Sequence, residues 1–222
     1  MITIRPALFS ILAIVAGAIL SGCATTQPVA YRDLASASQL EAGASTESAK
    51  IPFEYSAEVN WGDYTDALLE PVAIYRGKDQ QFEKVSEAEK RELARYMQER
   101  LLRTLGSSRL AVAREAQSRT VRIRVTLTGA KPTAQVVGTA MRFDLAGGTY
   151  NLVQSARGRE GAFTGSVTYA VEIFDAASGQ LLSAYIGKQY PNAMNVKATV
   201  GRLEAAKVGI DKAADELVRR LN

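Results

Sequence analysis

The sequence predicts an α+β domain, a two-layer sandwich in which two amphipathic helices cover one face of a mostly antiparallel sheet of four to five strands. Three observations favour this class. Two stretches, 121–128 and 163–174, alternate apolar and polar residues as half-buried strands do. A turn sequence at 175–179 connects the second stretch to another apolar segment. Two longer segments carry apolar residues at helical spacing.

Residues 1–22 are predicted to be an export signal that is removed from the mature protein. Arg5 gives the start of the chain a positive charge, and an apolar run follows over residues 8–20. This run is shorter than the roughly 20 residues that a membrane-spanning helix needs, and its length fits the apolar core of a signal peptide.

The apolar run ends on Leu20, Ser21, Gly22 and Cys23, which resemble the bacterial lipobox. Lipoprotein signal peptidase cuts such a sequence just before the cysteine, and Cys23 is the one cysteine in the chain. We predict that the Cys23 thiol carries a diacylglyceryl group and that its freed amine carries a further acyl chain such as palmitate. Each buried CH₂ contributes roughly 0.8 kcal/mol, so three chains would anchor the protein durably.

Ala24 follows the lipidated cysteine. In Gram-negative lipoproteins, the resemblance implies, Asp at this position favours retention in the inner membrane. We therefore predict a lipid-anchored protein at the periplasmic face of the outer membrane.

Residues 23–50 are predicted to be the acylated N-terminus and a tether, and residues 51–222 a single domain. The tether is rich in Ala, Ser, Thr, Gln and Glu, and as a flexible coil it would span roughly 25–30 Å. Tyr31, Leu34 and Leu40 are apolar interruptions that could dock on the domain.

The domain is predicted to contain eight elements in chain order. These are a strand over 68–75, a helix from Ser86 to Gly106, strands over 110–112, 121–128 and 163–174, a turn over 175–179, a strand over 181–186, and a helix over 199–221. The first helix has the strongest signals, since Ser86 and Glu89 form a capping box and large apolar residues recur every four positions from Leu93 to Leu105. The strand at 121–128 is expected to have one wet face, and the connection at 129–162 is left unassigned.

The hairpin, the start of the chain and the first helix together resemble a known family. The residues that carry the resemblance are Glu172, Asp175, Ser178 and Gly179 in the hairpin, Tyr31 and Leu34 near the start, Ser86 at the helix, and the lipobox. They are similar to the proteobacterial lipoprotein family called domain of unknown function thirty-three-thirteen, over most of residues 31–221. The resemblance implies an exported lipoprotein and no activity.

One position departs from that family. Its members tend to carry an acidic residue shortly after the position of Tyr185, where this chain has Gly187 and Lys188.

Composition excludes several kinds of chemistry. The chain has no histidine and a single cysteine, which rules out a Ser-His-Asp triad, a Cys-His dyad and cysteine or imidazole metal sites. No phosphate loop or nucleophile elbow is present. A net charge of +4, with both signs mixed along the chain, does not favour nucleic acid. We therefore expect no cofactor, no metal and no enzyme activity.

The candidate ligand or partner surface combines two groups of residues. Glu172 is expected to face Arg122 or Arg124 across two strands, as a structural pair or as part of a polar groove. Trp61 and Tyr64 lie near three acidic residues, a composition that suits sugar binding but also a loop covering the edge of the core. Those acids are Asp63, Asp66 and Glu70.

Three functions stay open on the sequence alone. The first is a non-enzymatic envelope adaptor that binds an envelope protein or the cell wall. The second is a carboxylate-based hydrolase of envelope glycans, acting through the acids named above or through Glu172. The third is a carrier that holds a lipid or other apolar ligand between sheet and helices.

Overall fold

The computed structural model describes residues 26–43, 50–133, 152–155, 160, 164–193, 195, 198 and 200–222. The strands are β1 Glu41–Ala42, β2 Phe53–Ser56, β3 Asp66–Leu69, β4 Ala73–Ile74, β5 Gln81–Phe82, β6 Ala111–Val112, β7 Thr120–Lys131, β8 Ser166–Asp175 and β9 Leu181–Gln189. The helices are a 3-10 helix Trp61–Asp63, α1 Glu87–Leu105 and α2 Glu204–Leu221.

All nine strands form one mixed sheet in the order β1-β2-β9-β8-β7-β3-β6, with β4 and β5 also paired to β7. The four pairs β1/β2, β2/β9, β9/β8 and β8/β7 are antiparallel. By contrast, β3, β4 and β5 run parallel to β7, and β6 runs parallel to β3.

The predicted sandwich of four to five mostly antiparallel strands with two helices is therefore wrong. The described chain has nine strands in a mixed sheet and three helices. The strands that the sequence did not predict, β1, β2 and β5, are two to four residues long, too short to show an alternating pattern. The strand predicted over 110–112 is present as β6. Strands β3, β4 and β5 form because β7 offers a free row of backbone groups, with which the preceding chain pairs in short pieces.

Elements with strong local signals lie where the sequence predicts them. α1 begins after Ser86, whose side chain accepts from the Glu89 backbone while the Glu89 carboxylate binds the Ser86 backbone. In the hairpin turn, Asp175 Oδ1 accepts from two backbone N–H groups and Gly179 has a φ of 75°. The strand predicted over 68–75 is instead split into β3 and β4 around Pro71, which cannot donate to a ladder.

One face of the sheet carries both long helices. Its core holds alternate residues of β7 and β8, together with the apolar stripes of α1 and α2; examples are Ile123, Leu127, Ile173, Leu93, Met97, Ile210 and Leu217. Gly209 lets α2 approach closely, because a Cβ there would lie 2.8 Å from the Gln189 carbonyl oxygen. This helix-covered face accounts for most of the apolar core.

The opposite face is covered by the N-terminal segment, which we define as residues 26–43. Tyr31 is fully buried and Leu34 nearly so, and they pack with Tyr75, Ala170 and Ile186. The solvent-exposed face expected for β7 is therefore exposed in part at Arg122 and Arg124 and buried from Thr126 to Ala130. The described part of the predicted tether docks on the sheet, as its apolar interruptions allowed, because a polar coil could not shield this surface.

The connection left unassigned at 129–162 is only partly visible. Residues 129–131 belong to β7, while 134–151, 156–159 and 161–163 lie outside the described residues. The predicted signal and Cys23 also lie outside them. Within the described parts of the chain, no helix is long and apolar enough to cross a membrane.

Candidate functional site

A groove of about 370 Å³ lies between the N-terminal segment and the sheet. Its walls are residues 33–35 of that segment, residues 73–77 around β4, and the side chains of Arg124, Thr126 and Glu172 on β7 and β8. Since both charge signs line it, the groove suits a polar or charged ligand better than an apolar one.

Glu172 forms the floor of the groove. The register of β7 and β8 sets it directly opposite Arg124, and the two side chains approach to 4.0 Å between Oε2 and Nη1. Glu172 is only 1% exposed. Its Oε1 accepts a 2.7 Å hydrogen bond from the Ser36 backbone, so the carboxylate also helps to hold the N-terminal segment.

Glu70 joins the two arginines of β7 from the neighbouring strand. Its carboxylate accepts from Arg122 Nη1 at 2.6 Å and from Arg124 Nε at 2.8 Å. Both guanidinium groups also lie over the Phe174 ring. Burial by itself would raise the pKa of Glu70, but the hydrogen bonds from Arg124 and Arg122 outweigh it and hold the pKa below its ordinary value.

Replacing Glu70 with glutamine is expected to remove a pH-dependent part of the stability. Because its folded pKa is lowered, the carboxylate stabilises the fold fully above the ordinary value near 4.5, and this stabilisation is lost as the pH falls through the lowered pKa. We expect Glu70→Gln to be less stable by about 1–2 kcal/mol at neutral pH, since two charge-assisted bonds at a partly exposed site are lost.

Denaturant unfolding at stepped pH values measures this effect, with the exposed Glu115→Gln as the control for charge loss. The gap between wild type and Glu70→Gln should close in acid. A gap that stays constant through the acid range would contradict the assignment.

Trp61 and Tyr64 lie at a different place from the groove, at the end of the sheet where β3 and β7 begin. Both are partly buried against the helix-covered core, and Arg109 binds both of their carbonyl oxygens. Tyr64 donates a 3.0 Å hydrogen bond to Asp175 Oδ2. The two aromatic residues therefore cover the edge of the core, and no contact joins them to Arg124 or Glu172 in the described structure.

The carboxylates proposed for a glycosidase are held in structural interactions. Asp63 accepts from Asn60 and Asp66 from Thr65. The pKa of Asp175 is lowered by hydrogen bonds from the backbone and side chain of Ser178. A glycosidase needs one carboxyl with a raised pKa, and the lowered pKa of Glu70 does not suit that role.

The sequence relates this chain to known proteins in one clear way. A family model described as "Protein of unknown function (DUF3313)" matches residues 30–217. The chain belongs to this family. The match begins one residue before Tyr31, so it includes most of the docked N-terminal segment as well as the sheet and helices. A comparison with curated proteins finds no match.

Solved structures match this DUF3313 chain at low sequence identity and low structural similarity. A single-substitution variant of the PelC dodecamer from Paraburkholderia phytofirmans has a TM-score of 0.38 at 10% identity, covering 74% of this chain and 93% of PelC. A second PelC dodecamer structure from that organism gives 0.37 at 9%, covering 72% and 92%. Protein XCC0632 from Xanthomonas campestris, of family DUF330, gives 0.34 at 9%, covering 70% and 82%.

A buried ion pair in this DUF3313 chain was not found from the sequence. Lys188 Nζ lies 2.7 Å from Glu160 Oε2, and both side chains are 5% exposed. The same ammonium donates a 2.7 Å hydrogen bond to the Thr26 carbonyl oxygen. The available signal was Lys188 itself, a lysine in β9 near the place where the family resemblance implies an acidic residue.

The described residues contain no group of three or more histidine, cysteine, aspartate or glutamate side chains that could hold a metal ion. The groove offers the charged side chains of Arg124 and Glu172, with the N-terminal segment as its other wall. Glu70 lies outside the lining and binds Arg124 from the side. Chemically, such an arrangement can recognise a polar partner through charge-assisted hydrogen bonds.

Proposed function

We propose that this chain is an envelope lipoprotein, acylated at Cys23 and held at the periplasmic face of the outer membrane. Its domain is a non-enzymatic binding module that recognises an envelope protein or the cell wall. The lipobox and the family membership support the first part. The Glu70 carboxylate, which is ion-paired with Arg122 and Arg124 and whose lowered pKa suits recognition better than acid catalysis, supports the second.

One observation carries this proposal. The segment that follows Cys23 is built into the domain: Tyr31 is fully buried, and the Ser36 backbone is bound by Glu172 at the floor of the groove. From Thr26 onward, the segment that follows the proposed lipid anchor is thus packed against the candidate binding groove. A module of this kind presents its groove at a defined place beside the membrane, as an adaptor requires.

The groove has exposed charges at its rim that a partner can reach. The Arg76 side chain is 67% exposed and makes one ion pair, with Glu87. The Arg124 side chain is 36% exposed. Charges at the rim of an interface set its specificity and association rate more than its affinity.

Site-directed photocrosslinking in cells tests the proposal. A photoreactive residue is placed at Arg76 in the full acylated chain, and a matched control carries it at Arg103, an exposed arginine on α1 across the sheet. Position 76 should capture one dominant envelope protein or cell-wall species, lost in Cys23→Ser. Capture of the same species from both positions, or capture that survives Cys23→Ser unchanged, would contradict the proposal.

A further inference from the structure

The N-terminal segment reaches the domain close to Cys23. Two side chains form hydrogen bonds with Thr26. Its carbonyl oxygen accepts from Lys188 Nζ at 2.7 Å, and its hydroxyl donates to Glu83 Oε1 at 2.6 Å. Next to it, Gln81 Nε2 donates to the Gln27 carbonyl oxygen at 2.8 Å. The first described residue of the segment is therefore fixed to the sheet.

These hydrogen bonds limit the distance between the domain and an acylated Cys23. Thr26 lies three positions after Cys23, and a chain extends by at most about 3.6 Å per position. Whatever path these residues take, the distance from Cys23 to Thr26 is at most about 11 Å. The acyl chains begin at Cys23, so Thr26 and its neighbours must lie at the bilayer surface.

The surface around Thr26 is suited to that position. Glu83, which binds Thr26, precedes the exposed Lys84, and Arg202 binds the Lys84 carbonyl oxygen. Two residues before Arg202 lies Val200, which at 74% is the most exposed large apolar side chain described. Exposed basic and apolar side chains side by side are typical of surfaces that contact anionic headgroups.

We propose that this end of the domain, formed by Thr26, Glu83, Lys84, Val200 and Arg202 and called the anchor end, lies on the lipid bilayer. The proposal rests on acylation of Cys23, as proposed above. It adds a fixed orientation. Lys131, the last residue of β7, lies beside the anchor end, and the 12 residues of β7 place Thr120 about 36 Å away from it, on the side away from the membrane. Trp61, Tyr64 and the exposed β6 edge then face the periplasm.

The chain provides a spectroscopic test of this orientation, because Trp61 is its single tryptophan. The acylated protein is reconstituted in vesicles of phosphatidylethanolamine and phosphatidylglycerol whose acyl chains carry bromine near the headgroup. Bromine quenches tryptophan only at close range. In a Trp61→Phe background, Val200→Trp reports on the anchor end, and Val112→Trp, at a 41% exposed site on β6, is the matched control at the far end.

We expect Val200→Trp to lose about half of its emission in brominated vesicles, as a side chain at the headgroup boundary would, and Val112→Trp to lose almost none. Vesicle flotation of the same samples measures anchoring separately. If the protein floats with the vesicles but both tryptophans are quenched equally, or neither is, the orientation is wrong while anchoring stands. If the acylated protein does not float, the proposed anchoring fails and the orientation fails with it.

Discussion

Tyr31→Ala is expected to release the N-terminal segment from the sheet and to lower the free energy of unfolding of that segment by about 3–5 kcal/mol. Tyr31 is fully buried, its ring lies 5.1 Å from that of Tyr75, and its hydroxyl donates a 2.8 Å hydrogen bond to Gln81 Oε1. Burial raises the pKa of Tyr31 to about 12, so the phenol stays a donor at physiological pH. Alanine would lose both the packing and the hydrogen bond.

Limited proteolysis within 26–43, combined with urea unfolding of the soluble domain, measures this effect. Tyr31→Phe is the matched control, because it keeps the ring and loses a single hydrogen bond worth about 1 kcal/mol. We expect rapid cleavage of the alanine variant and near-normal protection of the phenylalanine variant. If Tyr31→Ala stays protected, other contacts hold the segment and the role assigned here to Tyr31 is wrong.

Lys188→Met is expected to destabilise the protein by about 3–5 kcal/mol, because it leaves the Glu160 carboxylate buried without its partner. The two charges lie 2.7 Å apart with side chains only 5% exposed, and Lys131 Nζ, the next cation, lies 3.9 Å from the other carboxylate oxygen. The variant also loses the hydrogen bond to Thr26. We therefore expect it to loosen the N-terminal segment as well.

A double variant separates the value of the pair from the cost of the orphaned charge. Replacing both partners, Lys188→Met with Glu160→Met, should recover most of the lost stability, since two apolar side chains can occupy the site without an unpaired charge. Lys207→Met is the control: that ion pair with Glu92 is more exposed and should cost at most about 1 kcal/mol. Equal losses for the single and double Lys188 variants would show that the ammonium acts through Thr26 alone.

Local signals in the sequence predicted the parts of the fold that local chemistry controls. The capping box at Ser86, the alternation along β7 and β8, and the Asp175 turn each involve residues within a few positions of one another, and all are present in the structure. No such signal shows that the strand predicted over 68–75 is split into β3 and β4, or that β5 is present. Each has a strand conformation only because a neighbouring strand pairs with it, and for β3, β4 and β5 that neighbour is β7.

In the candidate site too, some contacts could be predicted from the sequence and others could not. The alternation of β7 and β8 was enough to expect Glu172 opposite an arginine, and the structure sets it opposite Arg124. Glu70 could not be added to that pair from the sequence, because its contact with both arginines depends on parallel pairing between β3 and β7. Lys188 and Glu160 are likewise far apart in sequence and meet only in the folded chain.

Local sequence signals were sufficient to predict the lipobox motif, the boundaries of α1 and the hairpin, and the faces on which the β7 and β8 side chains lie. The mixed sheet, the docking of residues 26–43 on its second face and the groove beneath them became evident in the folded chain alone. The difference is one of range along the sequence. Capping, turn formation and alternation depend on neighbours along the chain, whereas parallel pairing and burial of a polar segment depend on the free backbone edge and the uncovered face left by the rest of the fold.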